Sequence, residues 1–327
     1  MRHSFLVRHS LLLPAILVAL ATGRAHAAEA PKEEKPPGPW SNSTEISLVA
    51  TEGNTTSGAL GLKDTFEYKV ESGRSRFRID ALQSVKSDDP FLLVEPGITF
   101  LPGETPTGVP SREVRPGSEP DVERWFVEGR YDGNLKNKAT WNSGASWDMN
   151  EDAGIVSRYI VFAGLGNVWV DREDRSFRTS YGISFTDRKE EIDDPEKERR
   201  FPGVRLSTDF KDTWGPTTTY DCDFTFNISV KDFSDYNVSL DQGVAVPMSR
   251  HLSLKVGLQF LYASEPALEE VDVIARVRIV DPDGIPGSGD EFFETVESGG
   301  AEITVGEDSL RKKELDTTFR TSLMISF

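Results

Sequence analysis

The chain ends in the stretch that decides the fold, Leu315-Asp316-Thr317-Thr318-Phe319-Arg320-Thr321-Ser322-Leu323-Met324-Ile325-Ser326-Phe327. One set of alternate positions is apolar or threonine, and the other set is mostly polar or charged. A period of two predicts a β-strand with two different faces. An amphipathic strand that ends on an aromatic residue is typical of the closing strand of an outer-membrane barrel, although a soluble β-sandwich can also end on a buried strand. The interpretation makes Phe327 an assembly signal for the barrel assembly machinery.

Upstream of this strand the same alternation returns in eleven further segments. The third segment, around Phe77 and Ile79 and extending to Val85, is ambiguous, and the sixth, Tyr159 to Val170, is apolar on both faces. Elsewhere one face is apolar and the other is polar or small, as a lipid face and a water-facing lumen require. The pattern predicts an all-β protein, a transmembrane antiparallel up-and-down β-barrel of about twelve strands.

The connections between the predicted strands alternate in length. Long segments lie near residues 87–121, 188–202 and 263–314, and tight turns such as Glu71 to Arg74 fall on the opposite side. Outer-membrane barrels combine short periplasmic turns with long outer loops. The alternation therefore favours the barrel over a soluble sandwich.

The N-terminal residues indicate export. Arg2 and Arg8 precede the short apolar run Leu11 to Ala21, and Ala25-His26-Ala27 is a small-x-small cleavage site. This layout predicts a signal peptide at 1–27, because the run is shorter than the roughly 20 residues of a spanning helix. Residues 28–39 are rich in Pro, Lys and Glu and predict a flexible tether. The barrel is then expected at 40–327, in the cell outer membrane.

Composition excludes several functions. The formal net charge is −17, so nucleic acid, which needs a basic partner, is not expected. Outer-membrane lipid and lipopolysaccharide are the expected partners. Cys222 is the only cysteine, and His251 is the only histidine after residue 27, which excludes a Cys/His zinc site. A serine hydrolase would have to use His251, which falls in a predicted periplasmic turn, so we expect no enzymatic activity.

The first predicted hairpin carries a family resemblance. It runs Trp40-Ser41-Asn42-Ser43-Thr44-Glu45-Ile46-Ser47-Leu48-Val49-Ala50-Thr51-Glu52-Gly53-Asn54-Thr55. A Trp that opens an amphipathic strand ending in Gly-Asn-Thr resembles a family of unknown function, sometimes labelled salt-induced outer membrane proteins. The resemblance is clearest over Trp40 to Tyr68, and it implies an outer-membrane barrel without implying a reaction.

One loop segment is a candidate metal site. Asp281, Asp283 and Asp290 lie among glycines between residues 281 and 291. Closely spaced carboxylates suit calcium, which takes several oxygen ligands, but the spacing is not that of an EF-hand loop. A solvated acidic turn is the alternative, and no other cofactor is expected.

Two functions fit the predicted lumen. Small inward residues such as Gly182, Gly243 and Gly257 favour a narrow channel, and the acidic outer loops favour a weak preference for cations that fades at high salt. Bulky or paired inward charges would instead plug the barrel, and the candidates for these are Arg178, Arg205, Lys231, Lys255 and Arg320. The alternative function is therefore a structural or surface-interaction barrel that acts through its outer loops without transport. Asp221 and Asp223 share one strand face and are expected to line the lumen.

Overall fold

The computed structural model describes residues 38–52, 57–84, 88–116, 122–172, 174–215, 217–282 and 291–327. The predicted signal peptide, most of the tether, the Gly53-Asn54 turn, Val85 and two calcium candidates, Asp283 and Asp290, lie outside these ranges.

Eighteen strands form within the described ranges. In chain order they are β1 (Trp40–Glu52), β2 (Ser57–Val70), β3 (Gly73–Ser84), β4 (Asp88–Leu93), β5 (Thr99–Phe100), β6 (Ser111–Pro116), β7 (Val122–Asn134), β8 (Ala139–Asn150), β9 (Ile155–Asp171), β10 (Arg175–Glu190), β11 (Arg200–Trp214), β12 (Thr218–Ser229), β13 (Tyr236–Pro247), β14 (Leu252–Ala263), β15 (Leu268–Val280), β16 (Phe292–Thr295), β17 (Ala301–Arg311) and β18 (Leu315–Ser326).

Twelve of the described strands close into an antiparallel barrel. Around the barrel they follow the order β1, β2, β3, β7, β8, β9, β10, β11, β12, β13, β14 and β18, and β18 pairs with β1 to close the ring. These are the twelve strands that the alternation predicts. One end, here called the turn end, carries Trp40, Phe327 and the short turns; the opposite end, the loop end, carries the long connections.

The two faces of the barrel strands differ as the sequence predicts. Large apolar side chains such as Ile46, Leu60 and Ile183 are exposed on the outside. Polar and charged side chains such as Glu128, Asp80 and Ser322 are buried on the inside. The distribution is the reverse of a soluble core, where apolar groups are inside and unpaired charges are rare.

The two ambiguous segments are both barrel strands. The sixth, β9, carries a bulge, because Phe177 pairs with Val170 and Arg178 with Val168, which leaves Trp169 without an opposite residue. A bulge inserts one residue and shifts the alternation of faces. This shift explains part of the mixed pattern in the sequence. The third, β3, keeps Phe77 and Ile79 on one face opposite Gly129 and Val127.

Helical structure within the described ranges is confined to the turn Lys136–Lys138 between β7 and β8. Asn137 and Lys138 have φ angles of 60° and 62° there, which lets the chain reverse direction in few residues. No helix in this part of the chain has the length and apolar character needed to span a bilayer.

The two longest loops are not irregular. Strands β4, β5 and β6 from the first and β15, β16 and β17 from the second form one sheet, here called the accessory sheet. A short parallel pairing joins the loops, with Val273 opposite Leu92 and Ile274 opposite Leu93. The sequence predicts loops here, and their pairing requires contacts between segments about 180 positions apart.

The accessory sheet has its own hydrophobic core. Val94, Phe100, Ala275 and Val277 are buried together, and Phe100 packs against Phe293 with ring centroids 5.5 Å apart. The sheet is tied to the barrel loops at its base. Arg311 lies 3.0 Å from Asp194 in the β10–β11 connection, and Lys312 donates to the carbonyl oxygen of Glu151 after β8.

Candidate functional site in the barrel lumen

Charged side chains meet across the middle of the lumen. Eight of them form a set here called the waist: Lys63, Arg76, Arg78, Arg205, Glu128, Asp209, Asp223 and Asp241. Lys63 Nζ lies 2.7 Å from Asp241, and Arg76 lies 3.0 Å from Asp209. The set holds four cations and four anions, so its charges balance.

The waist connects walls that are far apart around the barrel. Arg78 on β3 lies 3.6 Å from Asp223 on β12, and six strand steps separate these strands in either direction around the ring. Arg205 on β11 reaches Glu128 on β7, four steps away, at 3.3 Å. These contacts therefore cross the lumen.

Seven of the eight waist side chains have little access to solvent, and the eighth, Asp223, is 37 % exposed. Glu128 has a side-chain exposure of 2 % and is approached by three arginines, Arg76, Arg78 and Arg205. The guanidinium of Arg205 also lies over the Phe162 ring, 4.4 Å from its centroid. A buried ion is costly unless it is paired and hydrogen-bonded. The waist groups are paired with one another, while the Nε atoms of Arg76, Arg78 and Arg205 have no hydrogen-bond partner among the described residues.

Further pairs surround the waist. Lys255 lies 3.1 Å from both Glu45 and Asp221, and Arg320 lies 2.7 Å from Asp80. These contacts pair Lys255 and Arg320 with carboxylates on other strands.

The inward charges predicted from the sequence divide into four groups. Arg205 belongs to the waist, and Lys255 and Arg320 form the flanking pairs. Arg178 pairs with Asp171 near the turn end, away from the waist. Lys231 lies in the β12–β13 connection and pairs with Glu198 outside the lumen.

A large cavity lies between the waist and the loop end. Its empty space is about 1590 Å³, including the open space at its mouth. Arg78, Arg205 and Asp223 of the waist line it on one side, and Asp235 and Glu265 line it at the loop end. A concave space on which charged and polar side chains converge is a candidate site for a small solute.

The rim of this cavity is held by ion pairs. Arg188 donates to Asp235 at 3.0 Å, and its guanidinium lies 5.0 Å from the Phe201 ring centroid. Lys197 lies in the β10–β11 connection, where its side chain is buried and donates to Glu190. Burial lowers the pKa of the Lys197 ammonium, and its hydrogen bond to Glu190 acts in the opposite direction.

The other predicted site residues lie apart from the waist. His251 Nδ1 is 2.9 Å from the carbonyl oxygen of Ser326, and its ring stacks on Phe327 with centroids 5.8 Å apart. Cys222 is a free, half-buried thiol on the outward face of β12. Asp281 lies directly after β15, and no group of three metal-ligating side chains occurs within the described ranges. The calcium site stays a prediction, because Asp283 and Asp290 lie outside those ranges.

Several waist residues are absent from the sequence-based candidates, namely Lys63, Arg76, Arg78, Glu128, Asp209 and Asp241. A signal was present on β3, where Arg74, Arg76 and Arg78 repeat at every second position on the inward face. The alternation predicts that these arginines face the lumen. It does not predict which carboxylates they meet, because those contacts depend on how the barrel closes.

Fold and site together define a β-barrel with a polar, ion-paired lumen. The family model described as "Protein of unknown function, DUF481" matches residues 44–280, and the chain belongs to this family. This agrees with the family resemblance of the first hairpin. No curated protein sequence matches the chain.

Solved structures of porins resemble the chain at low identity. The NanC porin shares 10 % identity, with 86 % of this chain and 98 % of that one covered and a TM-score of 0.45. The KdgM porin in complex with disordered oligogalacturonate shares 8 %, with coverage of 87 % and 99 % and a TM-score of 0.37. The anion-selective porin from Comamonas acidovorans shares 7 %, with coverage of 88 % and 98 % and a TM-score of 0.34. The barrel assignment rests on the hydrogen-bonded strand order given above.

Proposed function

We propose that this chain is an outer-membrane solute barrel whose lumen is closed at rest by the waist. The observation that carries the proposal is the contact of Arg78 with Asp223 and of Arg76 with Asp209 across the lumen. Conduction would require these pairs to separate. The cavity on the loop side of the waist is then a site that solutes enter from outside the cell.

The membrane location is supported by the outer surface. Each of the twelve barrel strands has 12–17 residues, and roughly 9–11 tilted residues suffice to cross a bilayer. Trp40, Trp141, Trp169 and Trp214 lie exposed near the turn end, where an aromatic girdle is expected. Membrane lipid and lipopolysaccharide remain the proposed partners of this surface.

Fractionation tests the location. The folded chain should sediment with outer membranes and migrate faster on a gel before heating than after it. Recovery as a freely soluble periplasmic protein would contradict the membrane assignment.

Planar-bilayer recording tests the closed waist. A variant carrying Arg76→Ser, Asp209→Ser, Arg78→Ser and Asp223→Ser removes two cations with their two partner anions, so the balance of buried charge is kept. We expect no stable conductance steps from the natural chain and clear steps from this variant. The predicted weak cation preference, fading at high salt, applies to the opened barrel.

A matched control removes two ion pairs outside the waist. Arg175 pairs with Asp212 at 2.9 Å and Arg200 with Asp187 at 2.7 Å, so Ser at these four positions changes the same residue types. This control should give no conductance steps. Stable steps from the natural chain, or equal steps from the control, would overturn the proposal that the waist closes the lumen.

The accessory sheet supports a second candidate function, a surface-interaction barrel. A loop that only connects strands needs no hydrophobic core, yet this sheet buries Phe100, Ala275 and Val277. Its surface is acidic on β17, where Glu302, Glu307 and Asp308 follow one another closely. Replacing the accessory sheet with short turns tests this function. If the shortened variant loses binding to a partner at the cell surface while its conductance in planar bilayers is unchanged, the surface-interaction function is favoured over the solute barrel.

A further inference from the structure

The cavity above the waist presents a wall of uncharged polar side chains. Thr225 pairs with Ser239 and Asn227 with Asn237 across β12 and β13, and Gln259 lies on the adjacent strand β14. All five line the cavity and keep partial exposure there. The wall therefore offers hydroxyl and amide groups side by side.

Arginines fix the orientation of the three amides. Arg205 donates to Asn227 Oδ1 at 3.5 Å, Arg158 donates to Asn237 Oδ1 at 3.4 Å, and Arg124 donates to Gln259 Oε1. A guanidinium has only donors, so only the amide oxygen can accept from it. The NH₂ group of each amide is consequently directed away from its arginine.

These NH₂ groups are open to the cavity. Within the described ranges none of the three amide nitrogens donates a hydrogen bond, and none is among the buried nitrogens that lack a partner. Each amide thus has two oriented donors that a solute oxygen can accept. Orientation in advance of binding reduces the entropy that a ligand must supply.

Several charged groups of the cavity are already paired. Arg158 holds Asp148 through two hydrogen bonds of 3.0 and 2.9 Å, Arg188 holds Asp235, and Arg78 faces Asp223. A charged ligand would have to break such pairs or remain unpaired beside them. A neutral ligand rich in oxygen can bind the amides and hydroxyls without disturbing them.

We propose that the cavity binds an uncharged polyhydroxylated solute, a sugar of one or a few rings, through Asn227, Asn237 and Gln259. The inference rests on the proposed function, because it takes the waist as the closed floor of the cavity. Hydroxyl and ring oxygens accept from the three amides, and sugar hydroxyls donate to Thr225 and Ser239. Neutral solutes are favoured because Asp148, Asp235 and Asp223 already have arginine partners within the protein.

Titration calorimetry tests the proposal on the whole folded chain in a detergent without a sugar headgroup. The neutral probes are maltose and lactose, and the acid counterparts are maltobionate and lactobionate. We expect binding of at least one neutral disaccharide, with its acid counterpart at least fivefold weaker. No binding by any neutral probe, or tighter binding of the acids, overturns the proposal.

The variant Asn237→Asp tests the amide directly. The two side chains have the same shape and the new carboxylate can still accept from Arg158, but the NH₂ donors are lost. We expect at least fivefold weaker sugar binding, equivalent to about 1 kcal/mol. The control Asn142→Asp makes the same change at a lumen asparagine outside the cavity, where Nδ2 donates to the Leu165 carbonyl. It should bind as the natural chain does, and equal losses in both variants would overturn the role of Asn237.

The outcome separates the two proposals. One outcome is that no sugar binds, the natural chain gives no conductance steps and the waist variant does. The proposal of a closed barrel is then supported, and the proposal of a sugar site is contradicted. If the natural chain gives stable conductance steps, the proposal that the waist closes the lumen is contradicted, whatever the calorimetry shows.

Discussion

At the residue scale, the C-terminal Phe327 joins three parts of the barrel. Its backbone exchanges two hydrogen bonds with Asn42 on β1, of 3.0 and 3.2 Å, and its ring stacks on His251 in the β13–β14 turn. The residue therefore holds the end of β18 against β1, where the ring closes. Recognition of this end by the barrel assembly machinery remains a proposal.

Phe327→Ser should lower the yield of folded barrel, because it removes the aromatic end of the closing strand and its contact with His251. The measurement is the fraction of heat-modifiable protein in outer membranes. Phe233→Ser is the control, since Phe233 is 69 % exposed in the β12–β13 connection. A normal yield of the Phe327 variant would mean that the last residue does not guide assembly.

Asp64 is a second residue with a testable role. It lies on the outward face of β2 between Leu62 and Phe66, and it accepts hydrogen bonds from Thr44 at 2.6 Å and Asn42 at 3.3 Å. The alternation alone predicts an apolar residue at this position. Thr44 and Asn42 supply the hydrogen bonds that the Asp64 carboxylate needs there. Lipid nevertheless disfavours a carboxylate on the outer face.

Asp64→Leu should raise the temperature at which the folded gel form is lost, by a stabilisation of roughly 1 kcal/mol. Leu62→Ala is a useful comparison on the same face and should lower it. A clear fall in the unfolding temperature of the Asp64 variant would mean that Asp64 holds β1 against β2 through Thr44 and Asn42.

At the element scale, the accessory sheet should unfold separately from the barrel. Its core contact between Phe100 and Phe293 is independent of the lumen pairs. Phe100→Ala should destabilise the sheet by about 3–5 kcal/mol, the usual effect of removing a buried Phe.

Limited proteolysis measures this effect. The variant should be cut rapidly within residues 88–116 and 264–314 while the barrel strands stay protected. Val109→Ala, at a position 72 % exposed in the same segment, should be cut like the natural chain. Loss of the whole barrel with Phe100→Ala would show that the two sheets fold as one unit.

At the scale of the whole molecule, alternation predicts the barrel because each strand has one face directed to the lumen and one directed to the outside. That local rule places Arg78 and Asp223 in the lumen and Ile183 outside without knowledge of the neighbouring strands. It fails where the structure depends on distant contacts. The pairing of Val273 with Leu92 and the contact of Arg78 with Asp223 both join segments that are far apart in the sequence.

The cavity too is predictable from the sequence only in part. The sequence indicates that Thr225 and Asn227 face inward, because they alternate with Phe224 and Phe226 on β12. The orientation of the Asn227 amide depends on Arg205 from the next strand, whose guanidinium also reaches Glu128 across the lumen. Site chemistry of this kind is set by pairs of residues, and single-strand patterns do not contain it.

The charge-swap series at Arg78 and Asp223 tests the central claim most directly. Arg78→Asp and Asp223→Arg each place like charges where the two walls meet, and the double variant restores opposite charges in reversed order. In planar bilayers the account predicts silence from the natural chain, steps from each single variant and silence again from the double variant. Stable steps from the natural chain, or a double variant that conducts like the single ones, would contradict a lumen closed by the waist contacts.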